Sequence, residues 1–406
     1  MTDREHDVVL HGATGFVGVL TAKHLAEHAG GARIALSGRS KGKLEALRNK
    51  LAVDWPVIVA DASDEASLTA LAESTTAVAT TVGPYAKYGR PLLRACAEAG
   101  TAYADLTGEV LFVRDSHNDF HKLAKETGAR IVHATGFDSV PSDLGVWLLH
   151  QQVTADGAGT LEDTVLLLKS FKGGISGGTI DSLRTMIDEV KSDKELRSVM
   201  TDPYSLSPDR VLEPDGADAD GRDVLTPTRD PLLGQWVAPF VMAPYNTRIV
   251  RRSNALLGHA YGPRFRYREV MSVGTSPLAP VLAGGVMVGV GAMAAGMALP
   301  GTRQLLDRVL PKPGEGPSEK VREGGHFRAE VHTRTSTGAH YVATVAAKGD
   351  PGYAATAVMF GESALCLGTD QLTSEGGVLT PAVAMGQHLV DRLIARGFEI
   401  SVRRES

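Results

Sequence analysis

The residues of this chain best placed to do chemistry begin with three glycines. Positions 7–18 read Asp-Val-Val-Leu-His-Gly-Ala-Thr-Gly-Phe-Val-Gly, a short apolar run ending in Gly12, Gly15 and Gly18. A helical pattern through Leu20, Lys23, His24 and Glu27 follows. Strand, tight turn and helix in that order make a pyrophosphate cradle. The glycines allow the sharp turn, the close approach of the backbone and the packing of helix on strand, and the helix amides face the negative charge. The chain is expected to bind a dinucleotide.

The next strand bears on which one. Arg33–Ser40 reads as strand two, and its end carries Gly38, Arg39 and Ser40, with Lys41 and Lys43 just beyond. An NAD site would place Asp or Glu there to accept from the ribose 2′-hydroxyl. A guanidinium instead grips a 2′-phosphate with paired donors. NADP is therefore expected rather than NAD.

Further candidates follow the later strands. Tyr85, Lys87 and Tyr88 lie just past Gly83-Pro84, where the backbone borders the nicotinamide end of such a cofactor. A tyrosine hydroxyl there can donate a proton or stabilise an enolate oxygen. Asp61, Asp105 and Glu109 follow other strands, and Asp138, Ser139 and Asp143 surround Pro141. Each of these carboxylates is open to orienting substrate or ribose, or to capping a helix. Arg248, Arg251 and Arg252 cluster further on, to hold an anionic group or to lie solvated. His24-Leu-Ala-Glu-His28 matches a zinc-peptidase pattern, but on the cradle helix it reads as two solvent-facing histidines, as do His117 and His121. No metal site is expected. None of the nine tyrosines is followed by lysine four residues on, so the Tyr/Lys acid pair of short-chain dehydrogenases is absent.

The elements that position these groups alternate at βα spacing over residues 1–150, which implies a parallel, doubly wound sheet. Strands are expected at 57–60, 77–82, 103–106 and 129–134, with a helix from Pro91 to Ala99 capped by Gly100. Ligands bind at the carboxyl ends of such strands, so Gly12, Arg39, Asp61, Gly83, Asp105 and Asp138 should ring one crevice. Beyond residue 155 the segments 164–170, 265–270, 327–334 and 339–345 read as strands of a second sheet, the last two alternating as antiparallel strands with one wet face. Residues 213–231 and 311–325 read as loops, and Leu379-Thr380-Pro381 opens a helix toward Ala395.

Composition bounds the rest. At 406 residues the chain has room for two domains, and its net charge of −5 argues against a nucleic-acid partner. Two cysteines, Cys96 and Cys366, allow neither a disulfide framework nor a cysteine metal cage. The charged N-terminus is not a signal peptide, and a cytoplasmic location fits. Leu278–Leu299 contains no charge. Three readings stay open for it: a buried or dimer-interface helix, a lipid-facing hairpin at the inner face of the plasma membrane, or a bilayer span. Under the first two it is suited to lining a path for an acyl chain.

Taken with its motifs, the chain resembles the saccharopine dehydrogenase-like oxidoreductases, and within them the mycobacterial trans-acting enoyl reductases. The matching stretches are Gly12–Phe16, Ser37–Ser40, Thr81–Tyr85, Tyr103–Glu109, Gly136–Asp143, Asn246–Ala255 and Leu379–Ala382. The resemblance implies an N-terminal Rossmann domain with a second α/β domain of mixed or antiparallel sheet. It also implies reduction of an enoyl double bond on a polyketide-derived acyl chain carried by a synthase. Cofactor contacts are expected at Gly12, Thr14, Gly15, Phe16, Gly18, Arg39, Ser40, Lys43, Asp61, Gly83 and Pro84. Tyr85, Tyr88, Asp138 and Ser139 are the catalytic candidates. The expected domains are 1–150 for NADP, 151–378 for substrate and dimerisation, and 379–406 as a helix returning to the first domain. A homo-oligomer is expected. A saccharopine-type imine dehydrogenase and a non-catalytic NADP-binding lipid-surface protein are the alternatives.

Overall fold

The computed structural model describes residues 4–173, 194–214, 223–276, 278–298 and 316–405. The first half alternates as its spacing demands: β1 (His6–His11), α1 (Phe16–His28), β2 (Ile34–Gly38), α2 (Lys41–Leu51), β3 (Val57–Val59), α3 (Glu65–Glu73), β4 (Thr75–Thr80), α4 (Tyr85–Ala99), β5 (Ala102–Ala104), α5 (Val110–Thr127), β6 (Arg130–Val132) and α6 (Val140–Ala155). The second half follows with β7 (Leu161–Lys172), α7 (Lys194–Thr201), β8 (Thr228–Arg229), β9 (Trp236–Pro239), α8 (Ala243–Leu256), β10 (Arg266–Ser272), α9 (Ala279–Ala298), α10 (Glu319–Glu323), β11 (His326–Thr335), β12 (His340–Lys348), α11 (Thr356–Thr369), β13 (Gly377–Leu379), α12 (Pro381–Ala395) and β14 (Glu399–Arg404).

Seven parallel strands form the first sheet in the order β13-β6-β5-β4-β1-β2-β3. The order reverses between β1 and β4, and the crevice outside their carboxyl ends is where such sheets bind nucleotides. The second sheet runs β14-β12-β11-β7-β10-β9-β8, antiparallel except for β7 against β10. The fold is therefore α/β, a Rossmann-type sheet with a mixed second sheet. Helix α6 leaves the crevice and lies on the second sheet so closely that a Cβ on Gly145 would sit 2.7 Å from Val331. Helix α11 covers the first sheet with small residues: a Cβ on Gly368 would meet the Asp7 carbonyl at 2.5 Å.

Several local expectations are corrected. Pro91 lies inside α4, which starts at Tyr85, because Glu109 satisfies its first amides from a distance. Gly100 does take the left-handed cap, at φ 70°. The segment from 379 onward carries its helix back toward the first sheet but ends in β14, which pairs with β12 of the second. The loop at 213–231 contains the short strand β8, and that at 311–325 contains α10; residues 215–222 and 311–315 lie outside the described residues.

Helix α9 realises most of the charge-free segment; Leu299 lies outside the described residues. It packs beside β9 with Ala279 and Ala283 buried, while Leu278, Val281 and Val288 are about two-thirds exposed. Most of its described side chains are exposed. Among the described residues no helix is long and apolar enough to cross a membrane.

Candidate functional site

The cradle is built on backbone shape. Gly12 has φ +80°, and a Cβ there would meet Thr81 Oγ1 at 2.7 Å. Thr81 in turn donates to the Gly12 carbonyl at 3.0 Å, tying the turn to the end of β4. A Cβ on Gly18 would lie 2.3 Å from the Gly12 carbonyl oxygen, so α1 rests directly on the turn. Gly15 is the N-cap, without a side-chain cap, and no acidic residue occupies the first turn. The helix start is left for an anion. Thr14 and Gly15 are exposed at its mouth. Phe16 is different: its ring packs edge-on against Tyr353 at 4.8 Å and under the Arg322 guanidinium at 5.2 Å. Its side chain latches the second half of the chain to the mouth of the cradle, and only its backbone remains suited to phosphate.

Beside the cradle, the ends of β1, β2 and β3 bring His11, Ser37, Arg39 and Asp61 together. His11 is buried against Ser37 Oγ at 3.1 Å, and burial pushes its imidazole down to about 4, against the pull of Asp61. The hydroxyl and amide of Ser63 hold the Asp61 carboxyl below its usual range, with Arg39 adding to the effect. Arg39 and Lys43 are exposed, and Ser40 opens α2 without a side-chain cap bond. Among the described residues Arg39 has no ion pair.

On the other side of the cradle Gly83 is exposed and Pro84 opens α4. Tyr85 turns inward. It is 5% exposed, its hydroxyl donates to the Thr80 carbonyl at 3.1 Å and accepts from the Leu106 amide at 3.2 Å. Burial, with Asp105 next, raises it well above the ordinary phenol range. That geometry suits holding the loop rather than delivering a proton. Tyr88 stands outward on the next turn with the Lys87 ammonium 4.9 Å from its ring centre.

Asp138 is the candidate carboxylate without a protein partner. It follows β6, is half-buried, and has no hydrogen-bond or ion-pair partner among the described residues. Burial pushes its carboxyl up to about 6. It is close enough to raise the Tyr85 and Tyr245 phenols. Ser139, by contrast, is fully buried and donates to Asn246 Oδ1 at 3.2 Å, so its proton is spent away from the crevice. Asn246 passes the contact on to Glu269 at 2.9 Å, and Tyr267 donates to the same carboxyl at 2.8 Å. Burial raises Glu269 to about 7. Asp143, raised by burial to about 6, accepts from Ser253 and from the Ala382 amide.

Two other groupings prove structural. Asp105, His133 and Ser116 form a hydrogen-bonded line of 2.7 and 2.8 Å resembling a hydrolase triad, but all three are buried, and Asp105 also accepts from the Thr107 and Ala134 amides. The three arginines of α8 are buried, and the protein itself supplies their partners. Arg248 bonds Asp223 and the Met200 carbonyl, Arg251 the carbonyls of Pro203 and Tyr267, and Arg252 those of Leu206 and Val378. The histidine pairs are corrected likewise. His24 is buried on Glu362 at 2.8 Å, His117 accepts from Arg252, and His121 accepts from the Val378 amide.

Sequence reasoning missed Tyr245. Its hydroxyl, buried and without a hydrogen-bond partner among the described residues, sits among Asp105, Asp138 and Glu109. It lies one residue before the matched stretch at 246–255, and nothing in the local pattern of α8 marks it.

With this geometry in hand, comparison with known proteins is direct. Residues 8–132 match the saccharopine dehydrogenase NADP binding domain. A Mycobacterium tuberculosis protein provisionally named a trans-acting enoyl reductase is 53% identical over 422 aligned positions, covering 99% of each chain. The trans-acting enoyl reductase of Mycobacterium ulcerans is 50% identical over 419, covering 99% of this chain and 98% of its own. The apo saccharopine dehydrogenase (L-Glu forming) of Saccharomyces cerevisiae superposes with a TM-score of 0.54 at 12% identity, covering 98% and 99%, and so shares the fold. The chain is an NAD(P)-dependent oxidoreductase that belongs to the trans-acting enoyl reductase branch of the saccharopine dehydrogenase-like family.

Proposed function

We propose that this protein uses NADPH to reduce the enoyl double bond of a hydrophobic, polyketide-derived acyl chain presented by a synthase. Full-length identity of at least 50% to relatives named for that activity carries the reading. The nucleotide is held by the backbone of Gly12, Gly15, Phe16 and Gly18, with Thr14 beside it and Gly83 and Pro84 bordering the far end. Arg39, Ser40 and Lys43 take the 2′-phosphate, and Asp61 offers an acceptor at the adenosine end. The glycine geometry and the unpaired Arg39 fit this group.

When bound, reduced nicotinamide supplies a hydride. The residues of the chain have to deliver the matching proton and shape the acyl site. Asp138 is assigned the proton to Cα, since a carboxyl raised to about 6 keeps a protonated fraction near neutral pH that an ordinary carboxyl lacks. Tyr88 is assigned to substrate contact at the outer wall, Tyr85 to positioning through Thr80 and Leu106, and Ser139 to positioning through Asn246. The exposed apolar flank of α9 is the surface for the acyl chain, for the cytoplasmic face of the membrane or for a second copy of the chain. A saccharopine-type dicarboxylate substrate loses support, because the arginines that would clamp it are bound to the protein itself.

The test is NADPH oxidation with a long-chain trans-2-enoyl thioester, with a saccharopine-forming imine mixture as the comparison. Turnover of the enoyl thioester that falls at least about a hundredfold in Asp138→Asn is expected. Turnover of the imine alone would reject the proposal.

A further inference from the structure

On the face of the second sheet opposite α6, two imidazoles meet. His332 of β11 pairs with Val342 of β12, and Arg334 pairs with His340, so the two histidines are diagonal neighbours on one face. Nδ1 of His332 and Nε2 of His340 face each other at 3.4 Å. Glu405, just beyond β14, donates its amide to the His340 carbonyl at 2.9 Å. One of its carboxylate oxygens is held by Arg403, while the other lies 3.4 Å from Nδ1 of His340. One ligand atom from each of His332, His340 and Glu405 lies within 4.8 Å of the others.

The outer nitrogen of His332 sets which lone pair is free. Its Nε2 faces the Glu330 carboxylate at 3.6 Å, which draws the ring proton there and leaves the Nδ1 lone pair turned toward His340. A metal between the rings would take Nδ1 of His332 and Nε2 of His340, and the free Glu405 oxygen would turn from Nδ1 of His340 to reach it. Two nitrogens at zinc-bond length in a tetrahedral site are separated by about 3.3–3.4 Å. A shared proton would also bridge the rings, yet it has no use for the third donor. Arg334, opposite His340 on β11, and Arg403, bonded to Glu405, disfavour a hard ion held by charge alone.

We infer that His332, His340 and Glu405 bind a divalent transition metal, zinc first, which ties the C-terminal strand β14 to β12 and β11. Two imidazoles and a carboxylate leave a fourth position for water.

The experiment is calorimetric titration of the full-length chain with Zn²⁺, and separately with Mg²⁺, at pH 7.5. One zinc per chain beyond that taken up by the His332→Ala/His340→Ala variant is expected, with no comparable magnesium binding. The variant should bind NADPH like the wild type, which shows that it is folded. Glu405→Gln should weaken zinc binding by about tenfold or more. Co²⁺ loaded in place of zinc should give the intense visible bands of a tetrahedral nitrogen/oxygen site, absent from the double variant. Equal zinc uptake by wild type and double variant, or no uptake at micromolar free zinc, would overturn the inference.

Discussion

Glu109 clamps the helix that Tyr85 opens. Its two carboxylate oxygens accept from the Tyr85 amide at 3.0 Å and the Ala86 amide at 2.7 Å, while the Tyr85 hydroxyl is held between Thr80 and Leu106. A side chain fixed at both ends is a strut. Tyr85→Phe leaves the Leu106 amide without that acceptor, and should cost about 1–2 kcal/mol of stability in urea titration. Turnover should stay within about tenfold of wild type. A loss of a thousandfold or more in a folded variant would return Tyr85 to the role of proton donor.

Asp138 should behave in the opposite way. Its carboxyl, raised to about 6, favours the protonated form in the folded chain. The folded state thus holds a proton that the unfolded state has released, and stability falls as pH rises from the unfolded value through about 6. Asp138→Asn removes that loss and should gain about 1–2 kcal/mol at pH 8 while activity collapses. An unchanged pH–stability curve would show that the group is solvated in both states.

On the proposed reading, Arg39→Asp replaces a donor to the 2′-phosphate with a repelling charge. NADPH affinity should drop by about a hundredfold, equivalent to about 2–3 kcal/mol, while NADH binding holds or improves. Calorimetry that finds NADPH affinity unchanged would remove Arg39 from the cofactor site.

The glycines of the cradle should separate by their neighbours. Gly18→Ala drives a methyl to 2.3 Å from the Gly12 carbonyl and 2.9 Å from the Ala13 backbone, so α1 must lift from the turn. It should lose about 2–4 kcal/mol and with it NADPH binding. In Gly15→Ala the nearest atom is 3.3 Å away, and thermal unfolding should move little. Equal melting losses in the two variants would refute the packing argument.

The parts of this molecule written locally were the parts that could be read. Gly12, Gly15 and Gly18, the left-handed cap at Gly100 and the alternation in β11 and β12 each depend on residues a few positions apart. His24 did not read as a buried partner of Glu362, because that contact spans 338 positions and needs the missing side chain of Gly361, where a Cβ would sit 2.7 Å from the ring. Asp138 and Ser139 were indistinguishable as neighbours after one strand. Only Asn246, arriving on α8, engages the Ser139 hydroxyl, while Asp138 beside it stays without a partner among the described residues.

Helix α9 carries the last prediction. Val288 is 65% exposed, so Val288→Glu should leave the melting temperature within about 1–2 °C of wild type. Activity on long acyl chains, co-sedimentation with anionic vesicles or the oligomeric state should change. A variant unaltered in all three would make the flank inert.

Strand β13 has a consequence for how the protein comes into being. The edge of the nucleotide sheet beside β6 is closed by residues 377–379, and α11 at 356–369 covers β1, β4 and β5. On the ribosome, the glycine turn emerges more than 300 residues ahead of β13 and α11, and its sheet waits for them with an unpaired strand edge and an apolar face uncovered. A fragment ending near residue 150 inherits that condition permanently. Transplanting the cofactor half into another enzyme would therefore require residues 351–404 to travel with it.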